Sequence, residues 1–184
     1  SCKARRAEPS LLRDLLRAGR SGLRRVGADV TEVHVERLRP GTGDRPQFSV
    51  VVPLAAGDDL PDALLAALPA DMEIIAVRGG TRAASLNAGA ASARGRFLWF
   101  VHADTWLPAG AIEALQRAAV RDPDALLFFD LTFDGPAVME LNAAGATLRS
   151  RLLRLPFGDQ ALCIGADRFG RLGGYPAVER GEDH

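Results

Sequence analysis

The sequence sets an imidazole and a carboxylate one residue apart, in His102-Ala103-Asp104, directly after the apolar run Phe97-Leu98-Trp99-Phe100-Val101. A run this short and uniformly apolar predicts a strand buried on both faces of a parallel sheet. A helix would need more residues and a polar stripe. In extended chain, side chains two positions apart share a face, so His102 and Asp104 are expected to project together. Polar groups leaving the carboxyl end of a buried strand sit where open α/β sheets hold their ligands. The plainer alternative is that Asp104 caps the next turn and His102 is a half-exposed strand-end residue.

From Phe48 onward the chain alternates strands and helices, the pattern of an α/β domain. Phe48–Pro53 predicts a β-branched strand ended by its proline, and Met72–Val77 a second, closed by Arg78-Gly79-Gly80. Between them, Asp58–Leu68 reads as an amphipathic helix capped by Asp58 or Asp59, with Leu60, Leu64, Leu65 and Leu68 inward. Thr81–Ala93 is an alanine-rich helix whose small residues allow close approach to the sheet. Ala109–Ala119 predicts a helix, Ala125–Phe133 a strand and Val138–Leu153 a further helix. Pro156–Gln160 reads as a turn, Ala161–Ile164 as a short strand, and Phe169–Pro176 as a glycine-rich loop.

The first 46 residues differ in character. Lys3-Ala4-Arg5-Arg6, Arg13, Arg17, Arg20, Arg24 and Arg25 make them basic. Ser10 as cap, with Leu11, Leu12, Leu15 and Leu16 on one face, predicts a helix. Val30–Val35 predicts a strand carrying Val33 and Val35 on one side and Glu32, His34 and Glu36 on the other. Pro40–Pro46 is a turn or linker. The arginines read as a solvated helix face, because 23 basic and 23 acidic residues leave no net charge to form a nucleic-acid footprint.

With 47% hydrophobic and 25% charged residues over 184 positions, the composition fits about one ordinary globular domain. No apolar run is long enough to span a bilayer. Cys2 and Cys163 are far apart and make no metal spacing, and two isolated thiols point most simply to a cytoplasmic setting. No secretory leader is visible, although Ser1 is not an initiator methionine and leaves an upstream start open. Neither the G-x-S-x-G of an esterase-type nucleophile nor a phosphate-cradling Walker A loop occurs.

A strand ending in Pro53, a strand ending in Arg78-Gly79-Gly80, the stretch L-N-A-G-A-A-x-A-R-G from Leu86 and then F-L-W-F-V-H-A-D follow in order. This order resembles family 2 glycosyltransferases of the GT-A fold, an α/β, Rossmann-like, mostly parallel sheet flanked by helices. V-H-A-D-T-W-L-P, G-D-Q-A-L-C and L-G-G-Y-P-x-x-x-x-G-E-D are similar to the branch described as radical-SAM/selenodomain-associated, or arsenosugar-biosynthesis, glycosyltransferases. The resemblance runs from about Phe48 to His184. The expected division is therefore a basic helix–strand extension over 1–46 and a GT-A-like domain over 47–184, cut short at its C-terminus.

The resemblance implies a nucleotide-sugar donor and a divalent metal, Mn²⁺ or Mg²⁺, to neutralise the leaving diphosphate. It makes Asp104 the surviving ligand of a D-x-D-like motif, with His102 in place of the first aspartate; a neutral imidazole suits Mn²⁺ better than Mg²⁺. Asp183, beside Glu182, becomes the base that deprotonates the acceptor hydroxyl. The alternative for these two acids is that they cap a helix beyond the chain's end. Donor contacts fall on Pro53, Arg78, Gly79, Arg82, Asn87 and Ala103, and acceptor contacts on Asp159, Gln160 and Tyr175. Trp106 is a candidate sugar platform, whereas Trp99 belongs to the core.

Two departures stand out. Arg78 occupies a position where relatives carry an aspartate, and arginine has no hydrogen-bond acceptor. The helix and strand that relatives place before the asparagine-glycine helix are missing. Either they were lost, or the helix–strand unit Leu11–Arg37 supplies them, which requires Val33 to pair with the sheet. The function read from the sequence is an inverting glycosyltransferase that moves a sugar from a nucleotide diphosphate to a hydroxyl of a small molecule or glycan. The alternative is a degenerate relative serving as a non-catalytic binding or interaction module, favoured by Arg78, His102 and the short donor half. No nucleic acid and no transmembrane segment are expected, and a homo-oligomer is compatible with the sequence.

Overall fold

The computed structural model describes residues 5–7, 32–55, 57–129 and 161–176. Within them the elements are β1 (Arg5–Ala7), β2 (His34–Pro40), β3 (Phe48–Leu54), α1 (Asp62–Ala67), β4 (Glu73–Arg78), α2 (Arg82–Ser92), β5 (Phe97–Phe100), α3 (Ala111–Arg121), β6 (Leu126–Phe128), β7 (Cys163–Gly165) and α4 (Ala166–Leu172). The strands form one sheet in the order β1-β6-β7-β5-β3-β4-β2. Its centre, β4-β3-β5, is parallel, while β2, β7 and β1 each run antiparallel to their neighbours. The expected α/β, GT-A-like layout is therefore present, with antiparallel strands flanking a parallel centre. No helix among the described residues is long and apolar enough to cross a membrane.

Alternation along the central strands divides the core into two layers. Val50, Val52, Ile74, Ala76 and Trp99 face one layer, closed by Leu64 of α1 and Leu115 of α3. Val51, Ile75, Val77, Leu98 and Phe100 face the other, closed by Leu86 of α2 and by Phe169 and Leu172 of α4. Both faces are covered, which is why these strands read as unbroken apolar runs. Trp99 is fully buried and donates its indole N–H to the Ala161 carbonyl at 3.1 Å, as a core tryptophan should.

The small residues of α2 do allow close approach. A Cβ added at Gly89 would lie 2.4 Å from Val51 Cγ1 and 2.9 Å from Val77 Cγ2. Both neighbours are buried, β-branched side chains with little freedom to turn away. Gly89→Ala is expected to lower stability by about 1–3 kcal/mol through overpacking, read as a lower urea midpoint at unchanged slope. An unchanged midpoint would show that α2 lifts off the sheet at no cost.

Several boundaries differ from expectation. Helix α1 begins after Pro61 and has no side-chain cap from Asp58 or Asp59. A residue preceding proline is disfavoured in helical conformation, so 58–60 stay outside, although Leu60 is still buried. Strand β3 continues through Pro53 to Leu54. Phe169–Leu172 is helical rather than looped, because Ala166, Phe169 and Leu172 at helical spacing all pack on the second core layer. Gly170 does not interrupt that turn; the chain turns at Gly173 and Gly174, both at positive φ. The helices expected over Leu11–Leu16 and Val138–Leu153 and the turn at Pro156–Gln160 lie outside the described residues.

The strand of the N-terminal stretch also forms later than expected, over His34–Pro40, and takes the outer edge beside β4. Val33 lies one residue outside the ladder, with its side chain packed on the second core layer. Since β2 is antiparallel to β4, the edge is not filled by the parallel helix–strand unit that a substitute for the missing pair would provide. The register shifts between Arg37, opposite Ile75, and Arg39, opposite Ile74, which marks a β-bulge.

Candidate functional site

Because β3, β4 and β5 are parallel, their carboxyl ends gather the loops after Leu54, Arg78 and Phe100 at one edge of the sheet. Two left-handed glycines, Gly79 (φ 80°) and Gly80 (φ 70°), turn the chain straight from β4 into α2. The Thr81 side chain caps α2 by accepting from Ala84 N at 3.2 Å, and buried Ser85 ties the first turn to the Gly79 carbonyl at 2.5 Å. Arg82, the first residue of the helix, is thereby fixed at the same edge.

The Arg82 guanidinium donates from Nη2 to Nε2 of His102. Arginine only donates, so the imidazole nitrogen is the accepting partner in this contact. Tyr175 joins them from the turn after α4. Its ring meets Phe100 edge-on at 5.2 Å and Phe169 at 5.5 Å. Burial pushes the Tyr175 phenol well above the ordinary tyrosine range, with the nearby Arg82 charge pulling the other way. Asn87, one turn further along α2, brackets the Tyr175 backbone, donating from Nδ2 to its carbonyl at 2.9 Å and accepting at Oδ1 from its N–H at 2.8 Å. Gly174 sits so close that a Cβ there would lie 2.6 Å from Asn87 Oδ1. Helix α2 thus gathers one connected group, holding His102 through Arg82 and the Tyr175 backbone through Asn87, with the Arg82 charge near the Tyr175 phenol.

The other expected donor contacts divide. Arg78 ends β4 and engages all three guanidinium nitrogens: Nε and Nη2 on the Asp58 carbonyl (3.2 and 3.1 Å), Nη1 on Glu36 (2.8 Å) and Nη2 on Asp59 (3.4 Å). Pro53 lies within β3 opposite Val77, and Ala103 is half-buried against the first core layer. The extended geometry expected for His102–Asp104 is not found. Ala103-Asp104 forms a turn, closed by the Thr105 N–H on the His102 carbonyl at 3.1 Å, so alternation does not set the two side chains on one face. Asp104 is exposed, and Trp106 two residues on is 77% exposed. Asp159, Gln160, Glu182 and Asp183 lie outside the described residues.

A divalent cation fits the described part of this site poorly. A neutral imidazole nitrogen has one lone pair, and on His102 Nε2 that pair already accepts from Arg82. A dication and a guanidinium about 5 Å apart would repel by roughly 7 kcal/mol at an effective dielectric near 20. Among the described residues Asp104 is the sole carboxylate at the end of β5, and no group of three His, Cys, Asp or Glu converges.

Sequence reasoning missed a second polar group, at the opposite edge of the sheet. Glu73, fully buried at the start of β4, accepts at Oε1 from Arg37 Nε (2.8 Å) and Arg94 Nε (3.1 Å), and at Oε2 from Arg94 N (2.8 Å) and the Ser49 hydroxyl. Gly95 N donates in turn to Ser49 at 2.8 Å. Burial alone would push the Glu73 carboxyl up. The Arg94 backbone N–H, Ser49 and the two arginine side chains outweigh it and hold the group below the usual carboxylate range. The available signal was a charged residue at the head of Glu73-Ile74-Ile75-Ala76-Val77, where a buried strand otherwise holds none.

Residues 57–174, which contain the whole connected group except Tyr175, match the family model described as "Glycosyl transferase family 2". No curated protein and no solved structure matches the chain.

Proposed function

The chain belongs to glycosyl transferase family 2, and from that premise we propose that it moves a sugar from a nucleotide diphosphate to an acceptor hydroxyl with inversion. The observation that carries this reading is the meeting of Arg82 and His102 at the carboxyl edge of the parallel strands, inside the matched stretch. The acceptor oxygen bonds to the anomeric carbon as the bond from that carbon to the diphosphate oxygen breaks. The electron pair leaves on the diphosphate, and the acceptor's proton passes to Asp183, with Glu182 beside it.

In this reading Arg82 faces the diphosphate, and Pro53, Gly79 and Ala103 shape the donor pocket. Asp104, a carboxylate at the strand end, accepts from donor hydroxyls. Asn87 holds the Tyr175 segment in place, while Asp159, Gln160 and Tyr175 meet the acceptor, a small molecule or glycan. Exposed Trp106 offers a flat apolar face of the kind sugar rings stack on. Residues 47–184 act as the catalytic unit and 1–46 as its extension. The H-A-D-T and G-E-D stretches support placing the chain in the radical-SAM/selenodomain-associated branch, and the fully buried Cys163 thiol suits a cytoplasmic setting. The test is release of nucleoside diphosphate from a panel of UDP- and GDP-sugars offered with hydroxyl acceptors. Turnover with at least one donor is expected; silence with every donor, in protein that melts cooperatively, would overturn the proposal.

A further inference from the structure

We propose that Asn87 serves the acceptor side of the reaction rather than the donor: from helix α2 its amide sets the backbone of Tyr175, and with it the wall that receives the acceptor. The inference rests on the glycosyltransferase reading above and makes Asn87 a positioning residue that acts through the turn after α4. Sequence alone places Asn87 among the donor contacts. In the structure both polar atoms of its side chain are turned to one residue 88 positions away, Nδ2 donating to the Tyr175 carbonyl at 2.9 Å and Oδ1 accepting from the Tyr175 N–H at 2.8 Å. One amide can meet both groups only when they point the same way. The pair therefore fixes the orientation of that backbone as well as its distance from α2.

The surroundings are built for this contact. Gly174, at a left-handed φ of 74°, leaves room for the amide only because it has no side chain, since a Cβ there would lie 2.6 Å from Asn87 Oδ1. The Tyr175 ring stands edge-on to Phe100, the last residue of β5, at 5.2 Å, and lies 5.5 Å from Phe169 of α4. A shift of the backbone at 175 therefore moves a side chain at the carboxyl edge of the sheet, where the phenol also feels the Arg82 charge. Asp183, the base in the reading above, follows Tyr175 by eight residues, so the same anchor sets the point from which the chain leads to it. Small displacements of groups that align an attacking hydroxyl are costly in rate, even when the substituted residue touches no substrate.

The chain has a single tyrosine, so an alkaline absorbance titration of tyrosinate reports on Tyr175 alone. In the parent, tyrosinate should stay scarce across about pH 9–11, because burial disfavours the phenolate; in Asn87→Ala it should appear near the ordinary tyrosine value of about 10. With the UDP- and GDP-sugar panel, Asn87→Ala should lower kcat by about tenfold or more and raise the acceptor KM, while the Kd for UDP or GDP stays within about threefold. Gly174→Ala, which drives a Cβ into the same amide, should reproduce both results and cost less in the Asn87→Ala background than in the parent. Asn87→Asp keeps the shape and the contact to the N–H but cannot donate to the carbonyl, and it replaces the alanine variant if that one does not melt cooperatively. A parent-like tyrosinate titration in these variants would overturn the inference. So would a nucleotide affinity weakened more than tenfold with kcat retained, which would make Asn87 a donor ligand. Silence of the parent with every donor would overturn the glycosyltransferase reading, and the acceptor role with it, whatever the titration shows.

Discussion

Substituting asparagine for Asp183 is expected to lower turnover about a thousandfold while donor affinity stays within about threefold. A positioned base contributes on the order of 10²–10⁴ to a transfer in which the acceptor oxygen must lose a proton as it attacks. Asparagine has nearly the same shape and still accepts a hydrogen bond through its amide oxygen, but it cannot take up that proton. The loss therefore belongs in kcat at saturating donor and acceptor, and the measured Kd for a nucleoside diphosphate separates it from a binding defect. Turnover within tenfold of the parent would place the base elsewhere, with Glu182 the next residue to replace.

The largest effect on stability should come from Glu73→Gln, which we expect to cost about 3 kcal/mol. The substitution leaves the cavity filled but removes the negative charge that four donors converge on. Its partners Arg37 and Arg94 are only half-buried and regain some water, which keeps the cost at the lower end for a broken buried ion pair. For a chain of this length that corresponds to a fall in Tm of about 6–12 °C. The pH dependence has a definite sign. Because the folded carboxyl titrates below its unfolded value of about 4.3, the stability it confers is present above that pH and is lost as pH falls through the folded value. The parent should weaken on acidification across that window, and the glutamine variant should show a shallower acid limb. Parallel acid limbs would mean that Glu73 contributes nothing through its charge.

What could be read in the sequence follows the range of the interactions. The parallel strands were legible because burial on both faces writes apolar residues without interruption, as in Val50–Val52 and Phe97–Phe100. Helix α2 was legible within about a residue at each end, since composition is local, although Thr81 proved to be its cap rather than its first residue. Helix α1 was misjudged at its start because Pro61 overrides two good acidic caps. The strand-end argument for His102 and Asp104 failed because alternation holds only while the chain stays extended, and it turns at Ala103. The link from Arg82 to His102 spans 20 residues and depends on how α2 seats against β3 and β4, which no local pattern encodes. The same holds for the Glu73 group, assembled from β2, β3, β4 and the turn before β5.

The bulge in β2 has a consequence for how the two faces of the sheet are joined. By advancing the register one residue, it sends consecutive arginines to opposite sides. Arg37 reaches the Ser92 carbonyl at the last residue of α2 (2.8 Å), and Arg39 reaches the Leu65, Leu68 and Pro69 carbonyls at the end of α1 (3.0, 2.9 and 2.8 Å). Helix ends leave carbonyls without partners, and a guanidinium there meets both the hydrogen-bonding need and the dipole. One short ribbon at the rim thus works as a clasp for both helical layers. Deleting a single residue from it would swing one arginine out to solvent and release the helix end it fastens.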